Sequence, residues 1–199
     1  MGFGFLLLML AFRSLLIPAT TAVLNLLAAA ASFGVLAAFF EWGWGTSAFG
    51  LGRAGPIEAY MPEIVLAILF GLSMDYQVFL VSRMAEEWSH TRDNARSVLA
   101  GQTETARVIT AAATIMIAVF IAFVFMGQRN VAEFGIGLAA AVALDAFILR
   151  TVLVPAVMHL FGNANWWLPR WLDGRLPHLA IEPPEATPTP ILPVPVPQL

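Results

Sequence analysis

Long apolar runs alternate with short polar breaks along this chain, at residues 3–12, 15–40, 62–82, 108–126 and 134–161. A helix crossing a hydrocarbon core of about 30 Å needs about 20 residues. The last four runs reach that length and predict spanning helices. The first, FGFLLLMLAF, does not. It lacks the basic flank and the small-residue cleavage site of a signal peptide, and Leu6 stands where myristoylation needs Ser or Thr. It reads as a spanning helix cut short at its N-terminus.

The breaks carry their own pattern. Segment 83–107 predicts one or two short amphipathic helices, with Asp93 as N-cap of the stretch bearing Val98 and Leu99. Residues 1–162 thus form the helix bundle. In 163–180, Trp166, Trp167 and Trp171 interleave with Arg170 and Arg175, which suits a helix lying at the membrane interface. The seven prolines of 181–199 preclude helix and sheet and predict an extended or disordered tail.

Composition strengthens this picture. Of 199 residues, 59% are hydrophobic and 12% charged, against roughly 25% charged in soluble domains. Mean hydropathy is +0.80. One soluble core of this size does not hide so much apolar surface. The fold class is therefore all-α, a polytopic transmembrane helix bundle.

All ten basic residues are Arg. If the runs alternate, Arg13, Arg83, Arg92, Arg96, Arg107, Arg170 and Arg175 fall on one side, and Arg53 and Arg129 on the other. This asymmetry predicts a cytoplasmic C-terminus in a multi-pass plasma-membrane protein. The net charge of −3 shows no basic excess to attract nucleic acid. Without Cys there is no disulfide, thiolate nucleophile or Cys-based metal site.

Candidate chemistry lies among polar groups that a bilayer disfavours. An Asp at the centre of a spanning helix costs about 2.5–3.5 kcal/mol. Asp75, in PEIVLAILFGLSMDYQVFLVSR, has Ser73 and Tyr76 beside it and Gly71 one turn before. It is expected to face the bundle, where separation from water favours the protonated acid, as a proton-loading group requires. Tyr76 is a candidate to donate to that carboxylate or to extend a relay through water. The structural alternative is a permanent ion pair with another helix.

Asp145 and Arg150 share the last run. Five positions apart on an α-helix they point about 140° away from each other, so each is expected to find its partner elsewhere. Asn25 is expected to make an interhelical hydrogen bond, and Thr110 and Thr114 to bond their own backbone. Gly34, Gly135, Gly137 and the Ala-rich stretches 28–31 and 139–143 are expected at close helix contacts. The His residues lack metal-ligand spacing, and no nucleotide-binding or hydrolase motif is present. No metal, cofactor or catalytic residue is predicted.

FGLSMDYQVFLVSR, GQTETARVITAAATIMIAVFIAF and EFGIGLAAAVALDAFILRTVLVPAVMHLFGNANWWLPRWLD closely resemble the C-terminal membrane half of the MMPL family. That family belongs to the resistance-nodulation-division superfamily. FRSLLIP around Arg13 is similar to the family's turn between two spans, and the resemblance covers about 1–175. It implies export of lipids or other hydrophobic compounds across a plasma membrane, driven by proton influx. It also implies an architecture of two six-helix halves, each with an exterior porter domain.

The resemblance assigns the family's mid-membrane Asp-Tyr pair to Asp75 and Tyr76, and its last-span acid and arginine to Asp145 and Arg150. These four form the expected proton relay, with Ser73 and Gly71 in support. Ala106 departs from the Gly usual in the family. The chain corresponds to the last five spans, without porter domains, so it reads as a fragment or split product. Its expected partners are the bilayer, a hydrophobic substrate, and a missing N-terminal half or a second copy. A membrane scaffold or an inert remnant is the competing reading, in which Asp75 and Tyr76 substitutions are silent. An enzyme is a distant third.

Overall fold

The computed structural model describes residues 2–44 and 55–168. Helix α1 spans Gly2–Phe12, α2 Leu16–Phe40, α3 Met61–Thr91, α4 Asn94–Val124 and α5 Arg129–Ala143. A π-helical segment, Leu144–Leu153, follows directly and leads into α6, Val154–Phe161. A 3₁₀ turn, Gly162–Trp166, is the last helical element among the described residues. No strand occurs among the described residues. The protein is an all-α polytopic bundle.

Four units are long and apolar enough to cross a membrane: α2, α3, α4, and the continuous run from Arg129 to Trp166. At 11 residues, α1 is too short. Segment 83–107 is not a set of separate helices. Instead α3 continues to Thr91 and α4 starts at Asn94, so one tight turn joins two 31-residue helices. Arg92 closes α3 in the left-handed region at φ 54°, and the Asp93 side chain accepts from the amides of Ala95 and Arg96. Helix propagation across an apolar–polar boundary needs only unbroken backbone bonding: no Pro stands there, and Gly101, packed against Met84 of α3, does not break α4.

Helix α4 packs against α3 and α5, α2 lies against α5 and α3, and α1 rests on α2 and α3. Gly135 permits the α4–α5 contact: a Cβ there would stand 2.5 Å from the Phe120 carbonyl oxygen. At Gly137 a Cβ would meet Leu36 Cδ1 at 2.9 Å. Gly34 differs from expectation, because a Cβ added there would meet nothing within 4 Å. It faces outward, since the buried stripe of α2 runs through Ala28, Ala29, Ser32 and Leu36.

Polar clasps close both ends. At the Arg129 end, the Glu133 carboxylate is fully buried, accepting from Arg129 Nε at 3.1 Å and the Glu58 amide at 3.3 Å. At the other end, Asn165 Nδ2 donates to Met158 O at 2.6 Å, and its backbone carbonyl accepts from Ser14 Oγ. Trp166 stacks on Trp88 with ring centroids 5.2 Å apart. Trp171, Arg170, Arg175 and the Pro-rich tail lie outside the described residues, as does most of the expected interfacial segment.

Candidate functional site: a buried arginine cluster and an outward aspartate

The buried stripe of α3 recurs at Val65, Leu69, Ser73 and Gln77, one residue per turn. Its two polar members point at the π-helical segment. There Asp145 and Arg150 are both buried and bonded to each other, Arg150 Nε donating to Asp145 Oδ2 at 2.9 Å. The expectation that each must look elsewhere is wrong, and the cause is the helix type. Bonding from i to i+5 widens the turn, so residues five apart lie nearly above one another.

Pro155 helps to explain why the last turn needs outside help. The Val154 amide bonds to Leu149 O, five residues back. The next bond in that register would run from residue 155 to Arg150 O, and proline has no amide hydrogen. Gln102 Nε2 donates to Arg150 O instead, at 2.7 Å.

The guanidinium is held on every side. Arg150 Nη1 donates to Gln77 Oε1 at 3.2 Å, and Nη2 to the Ser73 carbonyl and, at 2.7 Å, to Ser73 Oγ. Ser73 Oγ also lies 2.6 Å from Asn25 Oδ1 and 3.2 Å from Asp145 Oδ1. Ser73, expected only to support, is the hub joining α2, α3 and the π-helical segment. Asn25 makes the interhelical bond expected of it.

Tyr76 connects the cluster to the outside. Its ring lies beneath the Arg150 guanidinium, 5.4 Å from centroid to Cζ. Its hydroxyl reaches Met116 Sδ at 3.6 Å and not the Asp75 carboxylate, the first of the two roles expected of it. The phenol remains within electrostatic reach of Arg150, Asp145 and Asp75.

Asp75 does not face the interior of this bundle. It is exposed, and no described residue forms a hydrogen bond or ion pair with it. Two positions from the buried Ser73 is about 200° of rotation, so Asp75 must lie opposite the packed stripe. Asp75, Phe79, Ser82, Arg83 and Glu86 line a recess of about 510 Å³ on one face of α3. Gly71 is also exposed, with nothing within 4 Å of an added Cβ, and takes no part in the cluster.

Gln77 and Gln102 are not among the residues the sequence singles out. Gln77 had a readable signal: it follows Ser73 by one helical turn in an otherwise apolar span. Gln102 had none, because its role depends on a carbonyl freed in another helix. Among the described residues, no three His, Cys, Asp or Glu side chains gather to hold a metal.

The MMPL family pattern matches residues 4–177. The chain belongs to the MMPL family. It is 43% identical over 181 residues to the mycolic acid-containing lipids exporter MmpL11 of Mycolicibacterium smegmatis, covering 91% of this chain and 19% of the relative. To membrane protein YdfJ of Bacillus subtilis it is 44% identical, over 91% of this chain and 25% of the relative. The trehalose monomycolate exporter MmpL3 of Mycolicibacterium smegmatis is 39% identical, over 83% of this chain and 16% of the relative. The chain therefore spans a quarter or less of these relatives' length. It is a multi-pass membrane protein of a family with lipid exporters among its members.

Proposed function

We propose that this chain is the membrane-embedded part of a proton-driven exporter of lipids or other hydrophobic compounds, in which Asp75 loads and releases the proton. The observation that carries this reading is the outward Asp75. A lipid-facing aspartate at this depth costs about 2.5–3.5 kcal/mol, and its recess has α3 residues as its lining. A second membrane segment, from an N-terminal half or another copy, supplies the opposite wall. The same face carries Ser82, Arg83 and Glu86 towards the end of α3, a polar route from water to Asp75.

In this mechanism Asp145 and Arg150 are fixed charges. Ser73 and Gln77 hold the guanidinium against the Tyr76 ring, on the face of α3 opposite Asp75, so this cation stays in place while Asp75 gains and loses its proton. Protonation removes the cost of charge on the outer face of α3 and lets that helix move against its neighbour. A membrane potential of 100 mV contributes about 2.3 kcal/mol per charge moved across it. The plasma membrane, with the Arg92 end and the C-terminus cytoplasmic, is the proposed setting. No catalytic step and no cofactor beyond the proton gradient is required.

The test is Asp75→Asn in the whole transporter, in its own membrane. Transport is expected to cease while insertion and abundance stay unchanged. Transport at the original rate would overturn the assignment.

A further inference from the structure

A recess of about 670 Å³ opens at the Arg92 end of the bundle, where α1 turns into α2 and α3 nears its end. Phe12 and Arg13 form one wall, Trp88 and Arg92 a second, and Trp166 and Trp167 a third. Among the described residues no acidic side chain lines it. It is a basic recess with aromatic walls.

The backbone singles out the same two arginines. Arg13, at φ 47°, and Arg92, at φ 54°, are the two non-glycine residues with positive φ among the described residues. Glycine is the usual residue where a helix closes in this way, because it has no Cβ to crowd the turn. Closure alone does not call for arginine at either place. Strained positions of this kind cluster where a ligand is clamped.

The walls are fastened to one another. Ser14, next to Arg13, donates through Oγ to the carbonyl of Asn165, next to Trp166. Trp166 Nε1 donates to Asn94 Oδ1 at 2.9 Å, and its ring stacks on Trp88. The Arg92 guanidinium lies over the Trp88 ring, 5.9 Å from Cζ to centroid, and no described residue offers it an acceptor. On the same helical hairpin Arg83 pairs with Glu86 and Arg96 with Glu87, each at 2.7 Å. Arg92 is held ready on a rigid wall, which lowers the ordering cost of binding.

Depth narrows the partner. At 1.5 Å per residue the 25 residues of α2 span about 37 Å, more than a hydrocarbon core of about 30 Å. Arg13, three residues before the start of α2, therefore stands at the level of the lipid headgroups. Phe12 and the tryptophans suit the boundary between headgroup and acyl chain. A soluble anion has no use for these apolar walls.

We propose that this recess binds the headgroup of an anionic phospholipid. Arg92 and Arg13 donate to its phosphate oxygens, for which the planar guanidinium is well shaped. Trp167 and Phe12 border the glycerol and the first methylenes, and the acyl chains remain in the bilayer. Basic recesses between spanning helices are suited to such headgroups. The site uses neither Asp75 nor a proton gradient, so it stands or falls apart from the exporter reading.

The experiment compares retention of phosphatidylglycerol and phosphatidylcholine of matched chains by the detergent-purified full chain, using native mass spectrometry. Wild type is expected to retain phosphatidylglycerol about thirtyfold better, at about fivefold per arginine. Arg92→Gly relieves the left-handed turn, so its unfolding temperature should be no lower than that of wild type. It is still expected to lose about fivefold of the preference, and the Arg13→Gly, Arg92→Gly double variant all of it. Arg96→Gln removes the same charge outside the recess and should leave the preference intact. Equal retention of both lipids by wild type would overturn the proposal. So would a preference that survives Arg92→Gly, or one that falls equally in Arg96→Gln. Displacement of the lipid by excess inorganic phosphate would reveal a site for a free anion and overturn the lipid assignment.

Discussion

Asp145 and Arg150 form a buried ion pair across five residues of one helix, with Nε and Oδ2 2.9 Å apart. Removing one member of a buried pair strands the other charge, whereas removing both strands neither. Arg150→Met is therefore expected to destabilise the protein by about 3–5 kcal/mol. The Asp145→Leu, Arg150→Met double variant should regain most of that loss. Thermal unfolding of the detergent-purified chain measures both, and a double variant as unstable as the single would show that the pair is not the cause.

The freed carbonyl of Arg150 makes a second expectation. Gln102→Leu leaves that oxygen buried without its donor, at a cost of about 1–3 kcal/mol. In a Pro155→Ala background residue 155 regains an amide hydrogen, and the same Gln102 substitution should cost appreciably less. A double-mutant cycle reads the difference. Identical losses in both backgrounds would separate Gln102 from the proline.

Two glycines should behave in opposite ways. Gly135→Ala drives a methyl group into the backbone oxygen of Phe120, which cannot yield as a flexible side chain would. The expected cost is about 1–3 kcal/mol, typical of overpacking. Gly71→Ala meets nothing within 4 Å and should stabilise its helix by about 0.5–1 kcal/mol. Unfolding temperatures of the two variants on either side of wild type are the expected result.

Much of the architecture could be read from residue order. The apolar runs located the spans, and the Asp93 cap marks where α4 begins. The expected break at Arg83 was misplaced because polarity marks the edge of a membrane better than it marks the end of a helix. Asp75 and Gly34 were misplaced for a shared reason. Residue type alone does not give a side chain's facing, which depends on which stripe of its helix the neighbours cover.

The sequence by itself determined that this chain is an all-α membrane bundle, and it singled out Asp75, Tyr76, Asp145 and Arg150 as polar groups within the spans. Those inferences rest on transfer from water to lipid, a property of each segment taken alone. Only the tertiary structure decided the partners. It made Ser73 the hub, joined Asp145 to Arg150 through a widened helical turn, and turned Asp75 outward. Pairing depends on helix rotation and local register, and these follow from packing against neighbours distant in sequence.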